Sequence, residues 1–507
     1  MFTRRFMRHQ PRLTTTTRLR RASPRPRFAS TGTQSIDLST RTVVGTVVGV
    51  GIVSCIFGYW IRGRTRQTAA SEKPATLSDK HVPDLNKLGL SNQIAYSPTP
   101  TSEDVTRQLN EHAFSLYGAP GVTRYDGAQL ASNNPCEDAF VHGSFSNPFN
   151  GINGKDWMAW AVFDGHCGWQ TSNLLTKQLM PYVRRALGDV EHQDGDNEPD
   201  EAVEKAIISA FKSLDDVLVN AALPIIESTL SFAAKARRLE TAYAGSCALL
   251  TLFDPSTRKL RVASTGDCRA VLGQKTAEGK WESTDLTTDH TGANPSEVAR
   301  LQAQFPDEPD IVNHGRVWGM QPSRTFGDGM WKWTAALKQN LRYHYGGPSL
   351  PSAQRYKAYR DGPYLTAEPA VSTTTIPDAQ PSFLILATDG LWDTMSSAQA
   401  VDLVGRWVDW RADPKAKPVM PQGRFEPTVL GWKQQCRYEE RKATVRDANA
   451  AVHLVRNGLG GGDEEMVKGA LTFRSPNSRD IRDDITVQVV FFAQKNAGEE
   501  GRGARQR

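Results

Sequence analysis

Cysteine and histidine are scarce in this chain, six and ten in 507 residues. The cysteines, at positions 55, 136, 167, 247, 268 and 436, form no CxxC pair and have no histidine at zinc-ligand spacing. That excludes a structural zinc site, and a chain of this length does not need a disulfide scaffold. No repeat of fixed period is present. Acidic residues are almost missing from the first 66 positions, where Asp37 alone stands against 13 Arg. The leader thus carries about +12, while the remainder holds 48 basic and 54 acidic residues, about −6. The basic balance of the whole belongs to the leader, and the acidic remainder would repel a nucleic-acid backbone.

Residues 1–41 are rich in Arg, Ser and Thr, the composition of a mitochondrial transit peptide, with a disordered basic arm as the alternative. Residues 42–61, "TVVGTVVGVGIVSCIFGYWI", are 20 positions without a charge between Arg41 and Arg62, long enough to cross a bilayer as one helix. A transit peptide followed by a spanning helix places the chain in the mitochondrial inner membrane and leaves open which side the rest faces. Residues 62–105 are polar and Pro-containing and read as a linker, residues 106–495 as the folded part, and 496–507 as a polar tail.

Within the folded part, Leu175, Leu179, Val183 and Leu187 recur every four residues, and Val203, Ile207, Phe211, Leu214 and Leu218 mark a second amphipathic helix. Strands are predicted at "WMAWAVFDG", "SCALLTLFD", "KLRVASTGD", "FLILATDG" and "ITVQVVFF". Three of these runs close on an Asp beside a Gly: Asp164, Asp267 and Asp389. Asp483 and Asp484 precede the last strand, and Glu137 and Asp138 precede the apolar pair Ala139 and Phe140.

Carboxylates converging at strand ends repel one another unless cations lie between them, and an all-oxygen donor set selects Mg²⁺ or Mn²⁺. Two such ions about 3.5–4 Å apart bridge a water and clamp a phosphoryl group for in-line attack. Asp164 is the natural bridging carboxylate, and Gly165 lets its own carbonyl approach an ion closely. His166 is left as the acid that protonates a departing alkoxide near neutral pH. Cys136, Cys167 and Cys268 adjoin these residues, which raises redox sensing beside the plainer reading of small side chains filling tight spots.

The segments "CEDAF", "AVFDGHCG", "AGSCALLTLF", "RVASTGDCRAVL", "TTDHTGANPSEVARL", "PSRTFGDGMWKW", "LILATDGLWDTMSSAQAV" and "RDDITVQVV" resemble, in order and spacing, the PP2C-type metal-dependent Ser/Thr protein phosphatases. The resemblance spans about residues 120–495 and is nearest the mitochondrial branch that contains pyruvate dehydrogenase phosphatase. It implies a four-layer α-β-β-α sandwich of two antiparallel sheets. It also implies that Asp164 bridges two ions, Asp389 and Asp483 complete one ion's ligands, Glu137 and the Gly165 carbonyl hold the other, and Asp267 helps with a third, looser ion. His166 matches the proposed general acid. Asn133 stands where most of the family has a phosphate-gripping arginine, so it is expected to give the phosphate one neutral hydrogen bond. Asp484, where many members have Asn, is expected behind the ligands, as is Asp138.

Two inserts are expected. Residues 329–363 fall where the family carries a flap, either a docking surface for the phosphoprotein or an excursion packed by its own aromatics. Residues 409–480 form the other, with a helix across "GWKQQCRYEERKATVRDANAAVHLVRN" that "GLGGGDEE" stops. The expected activity is hydrolysis of phosphoserine and phosphothreonine by direct water attack, with no covalent phosphoenzyme. The pyruvate dehydrogenase E1 component is the first candidate substrate, and an intermembrane-space phosphoprotein is the alternative. A catalytically dead binding scaffold is the reading from another class, opposed by intact Glu137, Asp164, Asp389 and Asp483. A two-metal nuclease is opposed by the acidic body.

Overall fold

A computed structural model describes residues 100–149, 155–190, 200–345, 361–413 and 437–494. The expected transit peptide, the uncharged stretch 42–61, most of the expected linker and the expected tail lie outside the described residues. No helix among the described residues is long and apolar enough to cross a membrane.

The chain opens with α1 (Ser102–Asn110), fixed by a capping box between Thr101 and Asp104. Val105 and Leu109 of this helix enter the core, so the folded part begins a few residues before the expected boundary at 106. Strands β1 (Phe114–Tyr117), β2 (Val122–Leu130), β3 (Ala139–Phe145) and β4 (Trp157–His166) follow, then helices α2 (Gln170–Gly188), α3 (Asp200–Asn220), α4 (Ala222–Glu227) and α5 (Phe232–Tyr243). Next come β5 (Gly245–Phe253), β6 (Lys259–Thr265), β7 (Arg269–Lys275), β8 (Trp281–Asp285), α6 (Pro295–Gln304) and the short pieces β9 (Val312–Asn313), β10 (Arg316–Val317) and β11 (Phe326–Gly327). The last described stretches hold α7 (Ala335–Tyr345), β12 (Ala370–Thr375), β13 (Ser382–Ala387), α8 (Asp389–Trp392), α9 (Ser397–Ala412), α10 (Ala450–Gly458), α11 (Glu464–Thr472) and β14 (Ile485–Phe492).

Two antiparallel sheets result, one in the order β1-β2-β14-β13-β7-β8 and the other β12-β6-β5-β4-β3. In β4 the period of two divides the side chains between two cores. Met158, Trp160 and Val162 join Leu249, Leu384 and Val490 between the sheets, while Trp157, Ala159, Ala161 and Phe163 meet Leu175, Val183, Ile207 and Phe211 of α2 and α3. A third core packs α9, α10 and α11 on the far face of the first sheet, through Phe383, Ile385, Val487 and Val489. The layers therefore run helix, sheet, sheet, helix, as the resemblance implied.

Residues 414–436 of the second expected insert lie outside the described residues. Along the helix expected from residue 431, the described residues hold a 3-10 turn at Glu440–Lys442 and an α-helix at Ala450–Gly458, which Asn449 caps, its side chain accepting from the amides of Ala451 and Val452. Upstream, Asp447 is drawn to the Arg456 guanidinium, with oxygens 2.8 and 2.9 Å from Nε, instead of extending a helix. Val452, Leu454 and Val455 are buried in the core with β14, so the helix at 450–458 is packed into the sandwich. The glycine run does stop the helix, with Gly460 and Gly461 at positive φ.

Candidate metal and phosphoryl site

The first sheet supplies Asp389 at the end of β13, and the second supplies Asp164 at the end of β4 and Asp267 just past β6. Carboxylate oxygens of Asp164, Asp267 and Asp389 lie within 4.8 Å of one another. Burial, then the charges of Asp389, Asp138 and Asp267, hold the Asp164 carboxyl well above the usual carboxylate range. Burial first and Asp389 next push Asp267 up to about 7. Among the described residues Asp267 receives the Cys247 thiol at 3.2 Å and the Gln321 amide at 3.3 Å. Among the described residues no basic side chain forms an ion pair with any of the three. Oxygen donors, mutual repulsion and no counter-charge fit a hard divalent cation.

Gly165 is needed at its place for a steric reason. A methyl group there would stand 2.2 Å from the Glu137 carbonyl oxygen and 2.9 Å from Ser172 Oγ, so only glycine lets the 132–138 loop close on the end of β4.

That loop is gathered by Asp484. Its carboxylate accepts from the backbone amides of Ser132, Asn133 and Glu137 and from the Asn133 side chain. Both amide hydrogens of Asn133 are thereby occupied, one by Asp484 Oδ2 at 3.1 Å and the other by Glu137 Oε2 at 2.8 Å. The expected phosphate donor is thus turned inward, onto its own loop. Asp138 accepts from Thr388 Oγ1 at 2.9 Å, and that hydroxyl accepts from the Thr486 amide at 3.0 Å, so one chain of bonds ties the neighbours of Glu137 and Asp389 to β14 just after Asp484. Asp483 lies beside the Arg479 guanidinium. Neither Glu137 nor Asp483 belongs to the close carboxylate trio.

His166 is buried, and its Nε2 lies 2.7 Å from Asp328 Oδ2. Burial opposes a charge on the imidazole, but Asp328, with Glu137 and Asp267 behind it, outweighs burial and lifts the pKa above the ordinary histidine value. No hydrogen-bond partner of Nδ1 is found among the described residues. Asp328 holds a left-handed conformation with φ of 49°, and its other oxygen, Oδ1, is buried without a hydrogen bond. Sequence reasoning missed Asp328. It lies in the quoted "PSRTFGDG", but β11 before it is only two residues long and gives no strand signal.

Burial pushes the thiols of Cys136 and Cys268 up, and nearby carboxylates push in the same direction, so both stay protonated and behave as packing residues. The aromatic face of the expected flap is spent on packing: Met330, Trp333 and Leu341 pack with Val219, Ala222, Leu239 and Ala242 of α3, α4 and α5. Residues 346–360 of the flap lie outside the described residues.

Against known proteins, a family model described as Protein phosphatase 2C matches residues 131–419. A protein phosphatase 2C homolog of Schizosaccharomyces pombe is 38% identical over 407 residues, covering 78% of this chain and 87% of that one. The mitochondrial [pyruvate dehydrogenase [acetyl-transferring]]-phosphatase 1 of Saccharomyces cerevisiae is 33% identical, covering 73% of this chain and 69% of its own. The human mitochondrial phosphatase 1 of the same name is 34% identical, with 78% and 83% covered.

Proposed function

The chain belongs to the protein phosphatase 2C family, and from that premise we propose that it hydrolyses phosphoserine and phosphothreonine esters in mitochondrial phosphoproteins, with the phosphorylated E1 component of pyruvate dehydrogenase as first candidate. The observation that carries the reading is the Asp164, Asp267 and Asp389 trio, three converging carboxylates without counter-charge. Likeness to the yeast and human pyruvate dehydrogenase phosphatases supports the compartment and the substrate.

Asp164, Asp267 and Asp389 would hold Mg²⁺ or Mn²⁺, with Glu137, the Gly165 carbonyl and Asp483 as further ligands. Bound there, such ions supply a water of lowered pKa and positive charge for the phosphoryl oxygens. His166 carries a proton on Nδ1 and gives it to the departing serine or threonine oxygen, since an alkoxide leaves poorly unprotonated. Asp328 keeps the imidazole oriented and favours its charged form. Residues 42–61 would anchor the domain at the inner membrane, a reading that rests on the sequence alone.

The test is phosphate release from phosphothreonine peptides and from phosphorylated E1, with Mn²⁺, with Mg²⁺ and with EDTA. Metal-dependent release that Asp164→Asn abolishes is expected. A folded protein that releases no phosphate with any metal would overturn the reading in favour of a binding scaffold.

A further inference from the structure

The turn that carries Asp328 is fastened to one face of α3 at three successive helical turns. Phe211 packs on Phe326, ring centroids 5.3 Å apart. One turn on, Asp215 Oδ1 accepts from the Gly327 amide at 2.8 Å and its Oδ2 from Lys332 Nζ at 2.7 Å. One turn further, the Val219 carbonyl accepts from the Trp333 indole at 2.9 Å. Spacing of four residues puts the three on one stripe of the helix.

The middle fastening is ionic and buried. The side chains of Lys332 and Asp215 are 5% and 9% exposed, and Lys332 Nζ also donates to the Thr325 carbonyl at 2.7 Å. The pair thereby grips the backbone on both sides of Phe326, immediately before Asp328. Among the described residues Asp328 Oδ1 has no hydrogen bond, and His166 is the side chain that tethers the carboxylate. Its position comes from the backbone turn, which pairing with β5 holds on one side, the Asp328 amide donating to the Ala244 carbonyl at 3.1 Å, and which Asp215 and Lys332 fasten to α3 on the other.

We propose that Asp215 and Lys332 are positioning residues for proton transfer at His166, acting through Asp328. The inference rests on the reading of His166 as the proton donor. An ångström of slack in Asp328 would loosen the imidazole from the geometry that protonates a poor leaving group. It would matter little for p-nitrophenyl phosphate, whose phenolate departs without a proton.

The experiment compares turnover of a phosphothreonine peptide and of p-nitrophenyl phosphate by the purified full chain in Mn²⁺. The variants are Asp215→Asn, Lys332→Met, the neutral double variant carrying both, and His166→Asn as the control. For each Asp215 and Lys332 variant the ratio of peptide to p-nitrophenyl phosphate turnover is expected to fall by about 10- to 100-fold, as misplacement of a reacting group costs. The ratio cancels the active fraction, so partial unfolding does not imitate the effect, and Asp215→Asn keeps the acceptor for Gly327 should Lys332→Met fail to fold. A selective loss in the His166 control beside an unchanged ratio in the Asp215 and Lys332 variants would overturn this inference alone. Equal losses on both substrates in the His166 control would overturn the general-acid reading and this inference with it.

Discussion

Gly245 and His166 face each other across the β4–β5 ladder so closely that a methyl group on Gly245 would stand 2.2 Å from both His166 Nε2 and Asp328 Oδ2. Glycine is therefore the one residue that leaves room for the imidazole and carboxylate to meet. Gly245→Ala is expected to separate them and to lower turnover of phosphothreonine peptides by about 100-fold, while overpacking costs about 1–3 kcal/mol of stability. Peptide kinetics with urea unfolding checks both halves, and an alanine variant with native kinetics would refute the argument.

Removing one charge from the carboxylate trio should act in opposite directions with and without metal. In EDTA, Asp164→Asn relieves repulsion among buried carboxylates and is expected to raise the thermal midpoint. In Mn²⁺ the order reverses, since the wild-type protein gains binding energy that the variant lacks. Thermal unfolding in the two buffers shows whether the curves cross.

Asp484→Ala strands four donors, three of them backbone amides, in a buried place. A loss of about 3 kcal/mol or more in urea unfolding is expected. Because the 132–137 loop carries Glu137, weaker Mn²⁺ affinity by calorimetry should accompany the loss.

Acid lability is expected from His453, which is fully buried. Its Nε2 lies 3.0 Å from the Leu403 carbonyl and its Nδ1 faces the Asn457 amide nitrogen at 3.1 Å, so a second proton would set two donors against each other. Burial first holds its pKa down at about 4. The unfolded chain binds the proton near pH 6.5 and the folded one does not. The contribution of His453, on the order of 2–3 kcal/mol, is thus complete above about pH 6.5 and is lost as pH falls towards 4. The difference between wild type and His453→Gln in urea unfolding at pH 7 and pH 4.5 isolates it from the carboxylates, which titrate in both.

The parts of the fold that were legible share one property. Strands β4, β5, β6, β13 and β14 are buried on both faces and read as apolar runs, and α2 and α3 bury a single stripe at helical spacing. Strands β8, "WESTD", and β12, "AVSTTT", are mostly exposed edge strands held by backbone pairing, which leaves no mark in hydropathy. The same division holds at the site. Asp164, Asp267 and Asp389 were visible because each closes an apolar run, whereas Asp328, Asp215 and Lys332 matter through long-range contacts that no local pattern encodes. The bonds of Asn133 to Asp484 were invisible for a related reason, since the two lie 351 residues apart.

Asp389 extends from one sheet, Asp164 from the other, and Asp267 from the crossing between them, so the trio straddles a seam. An ion held there would join the two sheets as a rivet joins two plates. Trp160, Leu249 and Leu384, which fill the space between the plates, are then part of the ion's affinity although none of them is a ligand. Shrinking one of them should appear first as a protein that needs more metal, and only later as one that unfolds.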